Sequence, residues 1–357
     1  MIHRKETAEI LSRIARLVAE GGRAALATVV RIEGSAYRRP GAKLLIEESG
    51  GTLGSVSGGC LEADVREIAR EVMANGRPWL RHYDTGAHED ILMALGLGCN
   101  GAVDVFVQPA TSGPLAELAP AALERLESGA PLAILTGVQG NDVLGRVALV
   151  DERGVEGDLG TGAQMRWIEE ARRALDEGRS RLLEEDGRAG FVEALGPPLD
   201  LLVIGAGDDA QPLVEYAADV GFRVTVVDHR PALATPVRFP QASRVIEARP
   251  DDDGLILPRG PAVVKTHSLA HDREWVRRLL AEGSAYVGLL GPVARKDAIL
   301  DEIGARGDSR LFGPVGLDLG AEGARQIAVA IVAELLAFTN GRSAVHLSAR
   351  RESIHVR

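Results

Sequence analysis

The sequence predicts an α/β chain whose C-terminal half is a doubly wound parallel sheet and whose N-terminal part is an α+β domain carrying both cysteines. Three observations predict it. Leu201 to Ile204 are four consecutive apolar residues, as in a strand buried on both faces; Gly205-Ala206-Gly207 follows, and Leu213, Tyr216, Ala217 and Val220 then recur at helical spacing. Past that strand, turn and helix, short apolar strands alternate with amphipathic helices as far as Thr339, the pattern of a Rossmann-like sheet. Ahead of it, Gly196-Pro197-Pro198 breaks regular structure, and Cys60 and Cys99 both lie on its N-terminal side. The expected division is therefore residues 1–110 as the cysteine-bearing domain, 111–196 as a strand and helix extension with linker, 197–345 as the Rossmann-like domain, and 346–357 as a tail.

Ile10, Leu11, Ile14, Leu17 and Val18 form one apolar stripe, so residues 5 to 20 read as a helix ended by Gly21-Gly22. Ala24 to Ile32 and Lys43 to Ile46 read as strands around a loop that holds Arg38 and Arg39; with Lys43 these make a basic cluster, equally an anion-binding loop or a solvated group. Leu61, Val65, Ile68 and Val72 place a helix start at or just after Cys60. A thiol there has its thiolate favoured by the helix dipole, and Gly58-Gly59 let a bulky ligand approach; a small buried residue in a tight turn is the alternative. Trp79 to Tyr83 reads as a strand. Gly98-Cys99 repeats the theme of a cysteine among glycines before the strand Ala102 to Gln108. A helix over Leu115 to Leu126, strands Leu132 to Val138 and Val143 to Val150 joined by the turn Gln139 to Asp142, a helix from Gln164 to Asp176 and strands at Arg181 to Leu183 and Phe191 to Leu195 complete the first part.

In the second part, Gly205 and Gly207 allow a tight turn and the close approach of a phosphate, while the helix opening near Asp208 points N–H groups at it. Asp228 ends the next strand, Arg223 to Val227, about 20 residues past Gly207, the distance at which a carboxylate reaches a ribose hydroxyl. Asp208 and Asp209 suit the helix dipole but repel a phosphate. Further strands are expected at Arg244 to Ile246, Ala262 to Lys265 and Ala285 to Leu289, and helices at Asp272 to Ala281, Val293 to Ile303 and Gly323 to Thr339. Ligands of such sheets bind beyond the carboxyl ends of the strands, which brings Asp228-His229-Arg230, Thr266-His267-Ser268, Leu290-Gly291-Pro292 and Gly313-Pro314-Val315-Gly316 to the expected site. His267 is either a member of that site or a solvated loop histidine.

Composition narrows the function classes. With 357 residues the chain has room for two cores, and 45% apolar and 26% charged residues are ordinary for a folded protein. A net charge of −10 argues against a general nucleic-acid binder. No apolar run spans a bilayer and the N-terminus lacks a signal peptide's apolar centre, so a cytoplasmic protein is expected. Two sulfurs without clustered histidines do not make a four-ligand zinc site in one chain.

Ser57-Gly58-Gly59-Cys60-Leu61-Glu62, Gly96-Leu97-Gly98-Cys99, Gly205-Ala206-Gly207 with Val224 to Asp228, Tyr286 to Gly291 and Gly313 to Asp318 together resemble the XdhC/CoxI family of accessory proteins for molybdenum hydroxylases. The resemblance runs from about Ala24 to Ala337, with the motifs in the family's order. It departs from the family pattern at Asp208, where many members have histidine, and at Asn100, where they have glycine. It implies a protein that binds the molybdenum cofactor (molybdopterin, in a mononucleotide or dinucleotide form), supports its sulfuration with a cysteine desulfurase, and delivers it to xanthine dehydrogenase or a relative. It also makes a homodimer plausible, with the apolar helix Ile327 to Leu336 at the interface or in the core. On that view Gly205, Gly207, Asp208, Asp228, Arg230, Thr266, His267, Gly291 and Gly316 would hold the phosphate or nucleotide end, while Gly58, Gly59 and Gly98 flank Cys60 and Cys99, which would touch the molybdenum or receive sulfur. The rival reading of the same turn and Asp228 is an NAD(P)-dependent oxidoreductase, with His267 and Lys265 as the available acid or base; a nucleotide-sensing regulatory protein is a third.

Overall fold

The structure is a computed structural model and describes residues 2–34, 38–84, 101–160, 164–252 and 254–349. It divides into two compact units, Met1–Pro197 and Pro198–Arg357, at the proline pair. The expected cysteine-bearing domain and the segment 111–196 fall in the same unit.

That unit holds two antiparallel five-stranded sheets. The first is built from β1 (Ala24–Gly34), β2 (Lys43–Glu47), β3 (Thr52–Gly54), β4 (Trp79–Asp84) and β5 (Gly101–Pro109), in the order β3-β2-β1-β5-β4. The second has β6 (Leu132–Gln139), β7 (Val147–Asp151), β8 (Gly154–Gly157), β9 (Arg181–Glu185) and β10 (Arg188–Leu195), in the order β8-β7-β6-β10-β9. Helices α1 (Ile2–Glu20) and α3 (Gly113–Glu127) share one core with both sheets: the expected stripe Ile10, Leu11, Ile14 and Leu17 packs with Leu26, Leu45, Leu115, Ile134 and Leu149. Helix α2 (Glu62–Asn75) covers the first sheet through Val65, Ile68 and Val72, and α4 (Gln164–Glu177) covers the second through Trp167, Ala171 and Ala174.

The strand expected from Val143 starts four residues later, because residues 141–146 close a wider turn in which Leu144 N–H donates to the Gly140 carbonyl at 2.9 Å and Arg146 N–H to Val143 at 3.0 Å. Two members of the basic cluster are tied down within the unit, while Arg39 is exposed. Arg38 donates to Glu6 at 2.7 Å, and Lys43, 6% exposed, is paired with the buried Glu193.

The second unit is a six-stranded parallel sheet, β13-β12-β11-β14-β15-β16, from β11 (Leu199–Ile204), β12 (Phe222–Asp228), β13 (Arg244–Glu247), β14 (Ala262–Val264), β15 (Val287–Leu289) and β16 (Leu311–Phe312). The doubly wound expectation holds. Helices α6 (Leu269–Ala281) and α7 (Val293–Glu302) bury Trp275, Val276, Leu279, Ile299 and Leu300 against it. Helices α5 (Gln211–Asp219) and α8 (Gly323–Thr339) pack on each other, and Ala328, Ile331, Val332 and Leu335 of α8 are buried within the chain. Chain order runs outward from β11 in both directions, so the switch point of the sheet, where ligands of this architecture bind, lies between β11 and β14.

Candidate functional site

The glycine turn stands at that switch point. Gly205 has φ +111° and donates its N–H to Val227 at 2.8 Å; a side chain there would lie 2.4 Å from the Lys265 carbonyl oxygen, so only glycine lets β11 leave the sheet beside β14. After Gly207 a 3-10 turn over Asp208–Ala210 leads into α5, with Pro212 in its first turn as expected.

Asp228 is 3% exposed, and both of its oxygens are engaged. Oδ2 accepts the Ala206 N–H at 2.7 Å and Arg230 Nη2 at 2.7 Å; Oδ1 accepts the Arg230 N–H and Nε, each at 2.9 Å. Burial opposes its charge, but the hydrogen bonds from Arg230 and from the Ala206 N–H outweigh that and hold its carboxyl down to about 2. Asp228 therefore ties the glycine turn to the end of β12 through a fully ionised carboxylate.

The two acidic residues of the turn are each matched by cations. Asp208, with a side chain 90% exposed, pairs with Arg238 at 2.8 Å, and Arg238 also donates to the Ala206 carbonyl at 3.2 Å. Asp209 turns inward. Its backbone carbonyl accepts from Lys265 Nζ at 2.6 Å, and its Oδ2 lies 3.2 Å from the same ammonium and 3.0 Å from His267 Nε2. Lys265 is 2% exposed, and burial lowers its pKa while the Asp209 carboxylate resists that. His267 is a non-glycine residue with φ +61°.

Thr266 is committed to the scaffold: its N–H and hydroxyl donate to Asp272 Oδ1 at 3.1 and 2.5 Å. Arg295 grips the other oxygen of Asp272 with Nε at 3.0 Å and Nη2 at 2.6 Å. Gly291 lies under Arg295, where a side chain would meet its Cδ at 2.7 Å. Gly316 gives its N–H to Glu334 at 2.7 Å, the carboxylate that also accepts from Tyr286. Among the residues expected at the mouth, Asp228 and Arg230 are bonded to each other and, through the Ala206 N–H, to the glycine turn, while His267 is bonded to Asp209, which also pairs with Lys265. Spacing alone did not reveal Arg238, Lys265 as the buried cation, or Asp272: Arg238 and Lys265 bond residues 30 and 56 positions away, and Asp272 joins Thr266, six residues before it, to Arg295, 23 residues after it.

In the first unit, Cys60 is half-buried against the core of the first sheet, one residue before Leu61, the N-cap of α2. Exposed Gly58 and Gly59 precede it. The loop is held by Glu62, which accepts Ser57 N–H at 2.9 Å, Ser55 Oγ at 3.0 Å and the Ser57 hydroxyl. Ser57 Oγ in turn accepts the N–H groups of Gly59 and Leu61, each at 3.1 Å. Burial opposes the Glu62 charge, but the Ser57 and Ser55 donors prevail and lower its pKa. Ser57 Oγ thus fixes the backbone on both sides of Cys60, and Glu62 holds Ser57 in place. Gly98 and Cys99 lie outside the described residues. Among the described residues no group of three or more His, Cys, Asp or Glu side chains is arranged to hold a metal ion, and no helix is long and apolar enough to cross a membrane.

A cysteine-bearing α+β unit followed by a Rossmann-like unit whose glycine turn sits at the switch point defines the class, and comparison with known proteins agrees. The chain belongs to the XdhC and CoxI family: residues 17–84 match the XdhC and CoxI family model and residues 201–335 match the XdhC Rossmann domain. It is 32% identical over 316 residues to a probable xanthine dehydrogenase subunit from Bacillus subtilis (strain 168), covering 88% of this chain and 92% of that one. It is 25% identical over 322 residues to the molybdenum cofactor insertion chaperone PaoD of Escherichia coli (strain K12), covering 88% and 83%. The crystal structure of a protein named as a xanthine dehydrogenase from Bacillus halodurans superimposes with a TM-score of 0.75 at 29% identity, over 96% of this chain and 98% of that one. The family expected from the motifs is the family found.

Proposed function

We propose that this chain is an accessory protein in the maturation of a xanthine dehydrogenase-type molybdenum hydroxylase, binding the molybdenum cofactor, supporting its sulfuration and delivering it to the apoenzyme. The observation that carries this reading is the match of both halves to one family, together with likeness over most of the chain to a relative named as a cofactor insertion chaperone. The donor set fits such a cofactor. A phosphate has, beside the glycine turn, a buried ammonium from Lys265 and the ring of His267; a soft metal or a transferred sulfur has the half-buried thiol of Cys60. When bound, the cofactor would supply the molybdenum centre of the target's chemistry. The chain's own work is to orient it, keep water from it, and release it. Within the first unit the Cys60 thiol is the proposed group for handling metal or sulfur, and Cys99 is its proposed companion.

An NAD(P)-dependent oxidoreductase is the weaker reading, since both oxygens of Asp228 are already spent on Ala206 and Arg230, leaving a ribose hydroxyl no acceptor there without displacing Arg230. A cysteine desulfurase as sulfur donor, a homodimer, and a cytoplasmic site of action belong to the same proposal. The test is reconstitution: cofactor-free xanthine dehydrogenase is mixed with cofactor and this protein under anaerobic conditions. Activation well above the protein-free control is expected from the wild type, and the Cys60→Ala/Cys99→Ala variant is expected to lose most of it. Equal activation by wild type and variant would remove the thiols from the account.

A further inference from the structure

The second glycine of a dinucleotide turn is there so that a pyrophosphate can approach the backbone. Here the space over Gly207 is taken by the chain itself: a side chain built on Gly207 would lie 2.7 Å from Asp209 Oδ1. The other oxygen of that carboxylate lies within 3.2 Å of Lys265 Nζ and 3.0 Å of His267 Nε2. An anion therefore already sits against Gly207, between a buried cation and an imidazole held at φ +61°. The neighbouring Asp208 takes no part in this; it points to solvent and Arg238.

We propose that Gly207, Lys265 and His267 form a phosphate seat, and that Asp209 is its built-in occupant, admitting only ligands whose phosphate or pyrophosphate group displaces the carboxylate. The proposal deepens the reading of this turn as the phosphate end of a cofactor site and rests on it. Lys265 is buried, and the Asp209 carboxylate and backbone carbonyl both serve it as partners. A dianionic phosphate offers the ammonium more charge and more acceptor oxygens than one carboxylate does, while monoanions of carboxylate strength gain nothing by exchange. Loading is then an exchange of anions, and unloading is helped by a side chain that returns to the seat. Asp209 sets an affinity threshold on this account, which only anions that bind the seat strongly pass. It lowers affinity for every anion in proportion to the time it occupies the seat.

The probe is inorganic pyrophosphate, titrated calorimetrically into the full chain. Asp209→Ala keeps the backbone carbonyl that accepts from Lys265, so the buried ammonium retains a partner. It is expected to bind pyrophosphate at least about tenfold more tightly than wild type, a gain of about 1.4 kcal/mol. Asp208→Ala removes the same formal charge from the same turn and is expected to change affinity by less than about twofold, because an exposed ion pair contributes little. Adding Lys265→Met to Asp209→Ala should abolish the gain. Equal gains from the two alanine variants would mean a mere change of net charge and would overturn the proposal, as would unchanged or weaker binding by Asp209→Ala. Molybdenum cofactor retention, measured in parallel, separates the two ideas. A wild type that retains cofactor while Asp209→Ala shows no gain sinks the seat alone; a clear gain with no cofactor retained by any variant sinks the carrier alone.

Discussion

Asp272→Ala is expected to destabilise the C-terminal unit by about 3 to 5 kcal/mol, the range for breaking a buried ion pair from one side. Asp272 is fully buried at the N-terminal turn of α6 and accepts four hydrogen bonds: two from Thr266 and two from the Arg295 guanidinium. Removing it leaves a guanidinium that is largely withdrawn from water, and an N–H and a hydroxyl at the end of β14, without their acceptor. Those same bonds set the path of residues 265–268, so the variant should also release His267 from Asp209. Asp272→Asn keeps an acceptor but gives up the charge, and a loss of about 1 to 2 kcal/mol is expected. Urea denaturation followed through the fluorescence of Trp275, buried on the same helix, measures both. A loss under about 1 kcal/mol for the alanine variant would mean that Thr266 and Arg295 find other partners.

The second large effect lies between the two sheets of the N-terminal unit. Glu193 on β10 and Lys43 on β2 form an ion pair with side chains 4% and 7% exposed, and Thr7 of α1 donates to the same carboxylate oxygen at 3.1 Å. Glu193→Ala strands an ammonium whose remaining acceptor is the Gly41 carbonyl at 3.0 Å, and a loss of about 3 to 5 kcal/mol is expected. The double replacement Lys43→Met/Glu193→Leu removes both charges and should recover most of that loss, because burying the pair carries a desolvation cost that its attraction only roughly offsets. Thermal or urea unfolding of the single and double variants decides it. A double variant no more stable than Glu193→Ala would show that the pair is favourable in itself.

Much of this architecture was legible in the sequence where one local pattern carried it. The run Leu201–Ile204, the glycines after it and Asp228 located the turn and the switch point, because strand, turn and helix each leave a periodic or compositional mark. Leu61, Val65, Ile68 and Val72 located α2 and hence Cys60 before it. The strands β3, β8 and β16 were not legible: they are two to four residues long and, unlike the equally short β14 and β15, β3 and β8 contain no run of apolar residues.

Side-chain partners were the least legible part. Position told that Asp228 ends a strand beside the turn, but not that Arg230, two residues on, would take both of its oxygens. Asp209 looked like a repelling charge at the start of the helix, and nothing in the spacing marked it as the partner of Lys265, 56 residues away. Lys43 looked like a surface cation because its counterion, Glu193, is 150 residues distant. Such pairs are made by the packing of elements and leave no trace in spacing. Glu62 is an intermediate case: it stood in the quoted cysteine motif, yet its part as the acceptor that organises Ser55 and Ser57 needed the fold.

The carrier reading is tested most directly by cofactor retention. Purified protein is incubated anaerobically with molybdenum cofactor released from a donor enzyme and desalted, and the retained pterin is oxidised and read by its fluorescence, beside a Cys60→Ala control. The account predicts retention approaching one cofactor per chain, reduced in the control. No retention by the wild type, together with tight NAD binding by calorimetry, would contradict it.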